Sequence, residues 1–278
     1  MAGSPGKKPT SLKISRRSLA EIRQHGRLYG RRQTHRLGKT RQAAFDTLLP
    51  RLGIEIAPAL DPKKLFSAPK KQYWLEIGFG SGEHLAALMA RHPENGYIGA
   101  EPFVNGMAGF LKDISQRPSL HGSSVQSTCP PKPAERRGMD HTHKACDDDQ
   151  DYNVRVFMDD AIILCENLVD NCLDGIYVLN PDPWPKTRHH KRRIISKANL
   201  DIFARILKPG GRLIMATDVD ALAEWMVTQS FTHPAFEWTA NSSKDWQTPP
   251  VEWLETRYAF KGKQAGRRQT FLIFKNRG

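Results

Sequence analysis

The segment Leu75-Glu-Ile-Gly-Phe-Gly-Ser-Gly-Glu-His84 restricts the fold of this chain more than any other stretch. It overlaps Tyr73–Phe79, an apolar run of the length of a buried strand. It then opens residues 83–92, where apolar positions recur at helical spacing until Pro93 stops them. Glycines at 78, 80 and 82 let the backbone turn sharply and let a ligand approach without meeting a Cβ. Strand, glycine turn and helix, in that order, begin a doubly wound α/β sheet whose ligand sits at the turn. A turn that binds nothing is the plainer alternative, and the strand before it and the helix after it favour a binding loop.

The same alternation runs through the rest of the chain. Further strands are expected at 97–101, 153–158, 174–179 and 212–217, the last entered from a Lys208-Pro-Gly-Gly211 turn. Helices are expected at 41–52, 103–114, 160–170, 194–207 and 221–229. A closing pair, 236–239 and 269–275, has no full crossover helix between its members, which predicts an antiparallel hairpin at one edge. The expectation is a Rossmann-like α/β domain over 41–278 with a seven-stranded, mostly parallel sheet and an antiparallel edge hairpin. Residues 115–151 break the rhythm: they are rich in Ser, Pro and charge, with little to bury, and predict a disordered surface insertion. His141, His143 and Cys146 beside Asp147–Asp149 match no structural zinc spacing, so no metal site is expected.

Charge bears on the partner. The chain carries 42 Lys and Arg against 29 Asp and Glu, a formal net charge of +13. Twelve of the basic residues lie within the first 41 positions, opposed there by Glu21 alone. Residues 1–20 read as a solvated tail. In Arg27–Arg41, Tyr29 and leucines interrupt the charges, as in segments that clamp phosphates and stack on bases. Residues 1–40 are therefore expected to form a basic, partly disordered arm that contacts RNA. No apolar run approaches the roughly eighteen residues of a membrane span, and the N-terminus lacks a secretory h-region. Cys129, Cys146, Cys165 and Cys172 form no C-x-x-C pair, which fits a reduced cytoplasm. Monomer and homodimer both remain open.

The glycine loop also selects its ligand. A dinucleotide site wants G-x-G-x-x-G, and the third glycine position is occupied by Glu83, which would face a pyrophosphate. S-adenosylmethionine has no phosphate, carries a sulfonium and an ammonium, and suits acidic surroundings. Glu101, at the end of the second strand, is placed to accept hydrogen bonds from ribose hydroxyls. Asp160, after the third strand, is the candidate acceptor for the adenine amino group; it can also cap the following helix, and Asp159 is the second candidate.

The fourth strand ends in Asn180-Pro-Asp-Pro-Trp-Pro-Lys186, followed by Thr-Arg-His-His-Lys-Arg-Arg193. Prolines fix φ and remove donors, so a rigid loop should present Asp182 at the ligand edge of the sheet. With L-E-I-G-F-G-S-G-E-H, P-D-P-W-x-K-x-R-H-x-K-R-R, Thr217-Asp218 and Thr256-Arg257-Tyr258, the chain resembles the tRNA (guanine-N7)-methyltransferase family over roughly 25–114 and 152–276. The resemblance implies the seven-stranded methyltransferase fold and methyl transfer from S-adenosylmethionine to guanine N7 in the variable loop of tRNA. It implies that Glu76, Glu101, Asp160 and Asp182 hold the cofactor beside Gly78 and Gly80, that Asp182 is also catalytic, and that Lys186, Asp218, Thr256, Arg257 and Tyr258 face the tRNA. Where the family carries Glu, this chain has Ala259, so one base contact is either missing or supplied by Glu255 or Glu252. An exocyclic-amine methyltransferase is the nearest rival, because Asn180-Pro181 resembles its N-P-P-[YFW] loop; Asp182 interrupts that motif. An RNA chaperone on the same fold would not need Gly78, Gly80, Glu101 and Asp182 intact, and an NAD oxidoreductase fails on the glycine spacing.

Overall fold

The computed structural model describes residues 28–29, 31–117, 152–250, 253 and 257–278. Most of the expected arm (1–27) and of the expected insertion (118–151) lies outside them. Seven strands form one sheet: β1 (Tyr73–Ile77), β2 (Gly96–Ala100), β3 (Val154–Phe157), β4 (Leu173–Leu179), β5 (Leu207–Thr217), β6 (Phe236–Trp238) and β7 (Thr270–Asn276). Their order is β3-β2-β1-β4-β5-β7-β6. The first five pair in parallel, and β7 is antiparallel to β5 and to β6.

Alternation along the strands feeds two cores. Trp74, Tyr97, Val154 and Tyr177 face α1 (Lys39–Leu52), α2 (Glu83–Arg91) and α3 (Val104–Ser115), which contribute Leu48, Leu52, Leu85, Met89 and Phe110. Leu75, Ile98, Ile176 and Leu213 face α4 (Ala161–Asn167), α5 (Lys197–Ile206) and α6 (Asp220–Phe231), with Leu164, Phe203 and Met226. Strands covered on both faces are apolar at nearly every position, as in β1 and β2, where every residue is buried.

The expected antiparallel pair of β6 and β7 forms at one edge; residues 239–269 between them carry α7 (Lys244–Gln247) and α8 (Arg257–Gln264), and β7 lies between β5 and β6. Phe271 feeds one core while Leu272 and Phe274 feed the other, so both faces of β7 are covered. The Lys208–Gly211 turn is absorbed into β5: Leu173 pairs with Leu207 and Gly175 with Arg212, so the intervening residues bulge out of the ladder.

Chain order reverses between β1 and β4. Loops leaving their C-terminal ends therefore diverge over a crevice, the position where open α/β sheets bind ligands. Those loops are Gly78–Gly82 and Asn180–Lys186.

Candidate active site

Gly78, Gly80 and Gly82 all adopt positive φ, 70°, 57° and 74°. Gly82 is required by packing, since a Cβ there would fall 2.2 Å from the Phe110 ring of α3. At Gly78 and Gly80 a Cβ would meet nothing within 4 Å, so this side of the turn stands open to a ligand. Glu101 follows β2 and is buried; it accepts from Gly80 N at 2.7 Å and from Phe103 N at 2.8 Å. Burial pushes its carboxyl up. The bonds from Phe103 and Gly80 oppose that rise, and the charges of Asp182 and Glu76 add to it. Asp182 and Glu76 thus both act on Glu101 across the crevice.

Glu76 lies on the α2 side of β1, with Oε2 2.9 Å from Nδ1 of buried His84, whose ring packs edge-on against Tyr177. Asp160 caps α4, accepting from Ile162 N at 3.0 Å. Its carboxyl is also raised, first by burial and then by Asp159, against the bond from Ile162. Asp159 accepts from Asp160 N and stands 3.6 Å from the Arg32 guanidinium. The neighbouring acids are therefore divided between a helix cap and the basic arm.

The arm residues that are described lie across this end of the sheet. Val104 N donates to Arg32 O at 2.8 Å, and Asn105 bonds both Thr34 N and His35 O at the start of α3. Tyr29 reaches the other loop, its ring 6.0 Å from Trp184, and the Arg192 guanidinium lies over both rings.

On the β4 side, Asp182 is open to solvent, yet the protein around it displaces enough water to raise its carboxyl. It sits between two non-glycine residues with positive φ, Asn180 at 48° and Trp184 at 41°. Gln269 Nε2 donates to Asn180 Oδ1 at 2.7 Å. Arg193, buried, donates from Nε to Pro183 O at 2.9 Å. Lys186 is exposed and leads into a 3₁₀ helix, Thr187–Arg192, where a loop was expected.

Beside this loop, buried Asp218 accepts from Arg267 Nε at 2.7 Å through Oδ2, while its Oδ1 has no hydrogen-bond partner. Tyr258 is half-exposed; burial first, then the charge of Asp218, raises its phenol, and the charge of Asp182 reaches it too. Thr256 lies outside the described residues, as do Glu252 and Glu255, and Arg257 is placed only as the first residue of α8. Ala259 is buried. The structure thus brings Glu76, Gly78, Gly80, Glu101, Asp182, Asp218 and Tyr258 to one end of the sheet. Sequence reasoning missed Arg193 and Gln269. The tripled proline at 181, 183 and 185 was the available signal, since a loop without its own N–H donors needs donors from elsewhere.

A pyrophosphate here would meet Glu83 and the Glu76, Glu101 and Asp182 carboxylates. A ribose-bearing ligand that carries a sulfonium and an ammonium suits the same acceptor set and the open turn at Gly78 and Gly80. Fold and site together define a class I S-adenosylmethionine-dependent methyltransferase. A family model described as "Putative methyltransferase" matches residues 70–272. A tRNA (guanine-N(7)-)-methyltransferase of Rhodospirillum rubrum is 41% identical over 90% of this chain and 88% of its own. Enzymes of that name from Azorhizobium caulinodans and Agrobacterium fabrum are each 38% identical, over 92% and 88% of this chain and 98% and 93% of theirs. The chain belongs to the tRNA (guanine-N(7)-)-methyltransferase family. Among solved structures, the 16S rRNA methyltransferase KamB superposes with a TM-score of 0.47 at 12% identity, over 74% of this chain and 88% of that one.

Proposed function

We propose that this chain transfers a methyl group from S-adenosylmethionine to N7 of a guanine in the variable loop of tRNA, with Asp182 as the catalytic residue. The observation that carries the reading is the place of Asp182. It stands at the mouth of the crevice, its charge felt by Glu101 on the cofactor side and by Tyr258 on the other.

When bound, S-adenosylmethionine supplies an electrophilic methyl group on sulfur. Glu101 would accept from the ribose hydroxyls while holding Gly80 in place, Asp160 or Asp159 would take the adenine amino group, and Glu76 with Asp182 would complete the acidic surroundings of the cation. Guanine N7 carries an in-plane lone pair and no proton at neutral pH, so no general base is needed. Asp182 would instead stabilise the positive charge that the purine ring acquires, and orient the base through its N–H groups. Asp218, buried next to the half-exposed Tyr258, supports a role at the base, one shared in this reading with Tyr258, Arg257 and Thr256. Lys186 and the arm, residues 1–40, would hold tRNA phosphates. Transfer to an exocyclic amine would call on the Asn180 side-chain oxygen, one lone pair of which already accepts from Gln269.

The partner under this reading is tRNA in the cytoplasm, with the protein a monomer or homodimer. Among the described residues no helix is long and apolar enough to cross a membrane. The test is incubation with labelled S-adenosylmethionine and bulk unmodified tRNA, followed by nucleoside mapping. N7-methylguanosine, cleaved by mild alkali and then amine at the variable loop, is expected. Label on an exocyclic amine, or no label, would end the proposal.

A further inference from the structure

Asp182 can act on a substrate only if its loop keeps one shape, and that loop lacks the usual means of doing so. Pro181, Pro183 and Pro185 have no N–H, so the segment offers carbonyls and few donors of its own. Its backbone is also strained. Asn tolerates the left-handed region, but Trp184, at φ 41°, has no side chain that favours it. Such a conformation persists only where the surroundings over-determine it.

Arg193 is the residue placed to do that. Its Nε donates to Pro183 O at 2.9 Å, the carbonyl of the peptide unit before Trp184, and an Nη lies 3.5 Å from Trp184 O, in the unit after it. One planar guanidinium therefore touches both peptide planes whose relative rotation defines the strained residue. The group is buried, 6% exposed, and among the described residues no carboxylate pairs with it. An arginine kept only for packing would be expected to pair with an acid. Here its donors go to the loop carbonyls, and its face lies 4.8 Å from the Trp225 ring, which is itself fixed by Nε1 donating to Ile195 O at 2.7 Å. Burial lowers the arginine's affinity for its proton, the direction expected of a cation held without a counter-charge.

We infer that Arg193 is a positioning residue: by binding the carbonyls on either side of Trp184, it holds Asp182 in the geometry that methyl transfer uses. This rests on the reading of Asp182 as catalytic. It predicts that Arg193 acts on turnover through Asp182, and changes the affinity for either substrate no more than Asp182→Asn does.

The experiment compares Arg193→Ala, Arg193→Lys, Asp182→Asn and the Asp182→Asn/Arg193→Ala double variant as full chains. It reads kcat and KM for tRNA, the Kd for S-adenosylmethionine, the melting temperature, and amide exchange at Asp182 and Trp184. Arg193→Ala should lower kcat by about 10–100-fold, the scale of a displaced catalytic group, with KM and Kd changed no more than in Asp182→Asn. Exchange at Asp182 and Trp184 should quicken while exchange in β1 and β4 does not. Lysine keeps the charge but presents one point donor, so Arg193→Lys should lose several-fold in kcat at unchanged KM, and it carries the test if the alanine variant fails to fold. In the Asp182→Asn background, loss of Arg193 should change kcat by less than about twofold, because the two act as one unit. Wild-type kcat in either folded Arg193 variant, or the same fold-loss with and without Asp182, would overturn the inference. A fully active Asp182→Asn would instead remove the reading of Asp182 on which it rests.

Discussion

Glu101→Ala tests how the cofactor side of the crevice is built, and its size can be worked from the structure. The substitution removes a carboxylate that is 6% exposed and accepts from Gly80 N at 2.7 Å and Phe103 N at 2.8 Å. Each N–H left buried and unpaired would cost about 1–3 kcal/mol. Two effects reduce that sum in the free protein. Truncating Glu101 vacates space that water can fill to reach the Gly80 N–H, and removing the charge relieves burial and the repulsion of Asp182 and Glu76. A net loss of about 1–2 kcal/mol in stability is expected, small enough to leave the protein folded. With cofactor present neither relief applies. One or two hydrogen bonds from ribose to a charged acceptor are lost, about 1.5–3 kcal/mol each, together with part of the order of the loop. The expected weakening is about 2–4 kcal/mol, or roughly 30- to 1000-fold in Kd. Glu101→Gln keeps an acceptor for one N–H but turns an NH2 toward the other, so it should fall between alanine and wild type. Calorimetric titration with S-adenosylmethionine, beside a thermal melt, reads both effects. An unchanged Kd in a folded Glu101→Ala protein would show that Glu101 shapes the loop and does not touch the ligand.

Three further outcomes follow from the same geometry. Deleting residues 1–37, which removes Tyr29 from Trp184 and Arg32 from Asp159 while sparing α1, should raise KM for tRNA and flatten the dependence of binding on salt; an unaltered salt slope would reassign the arm to folding or solubility. Replacing residues 118–150 with a short Gly/Ser linker should leave melting temperature and turnover nearly intact, as their Ser- and Pro-rich composition implies, and a large loss of either would contradict this. Burial above all holds the Glu101 carboxyl above its ordinary 4.5 in the free protein, and a bound cation with ribose donors would lower it. Cofactor binding on the acid side of neutrality should therefore release protons and weaken as pH falls through the raised value. Calorimetry in two buffers of different ionisation enthalpy measures the release, and proton uptake, or tighter binding on acidification, would refute the assignment.

The parts of the fold legible in the sequence were those governed by periodicity and by local backbone demands. Residues 73–79 announced β1 because a strand covered on both faces must be apolar throughout, and Gly78, Gly80 and Gly82 announced the turn because its φ values are positive. Glu101 and Asp160 were placed by counting from those elements. Contacts between segments distant in the chain were not legible. Nothing in Gln269 marks it as the partner of Asn180, 89 residues away, and Arg193 reads as one more cation in a basic run until its burial and its carbonyl partners are known. The place of β7 in the strand order was not legible for a related reason. Its apolar alternation fixes that both faces are covered, but the neighbours that cover them depend on how residues 239–269 are routed. The Lys208–Gly211 bulge was read as a turn because glycine and proline signal a change of direction in either case.

Catalysis by Asp182 is tested most directly by kcat for Asp182→Asn with tRNA and S-adenosylmethionine both saturating. Asparagine is nearly isosteric, so the loop clamped by Gln269 and Arg193 should keep its shape. What disappears is the negative charge beside a purine that becomes cationic. Losing one preorganised electrostatic contact costs about 10²–10³ in kcat, roughly 3–4 kcal/mol. Turnover lower by at least that order, with a normal melting temperature and the residual product still N7-methylguanosine, is the predicted result. Normal turnover once both substrates saturate would contradict it, and would reduce Asp182 to a binding residue.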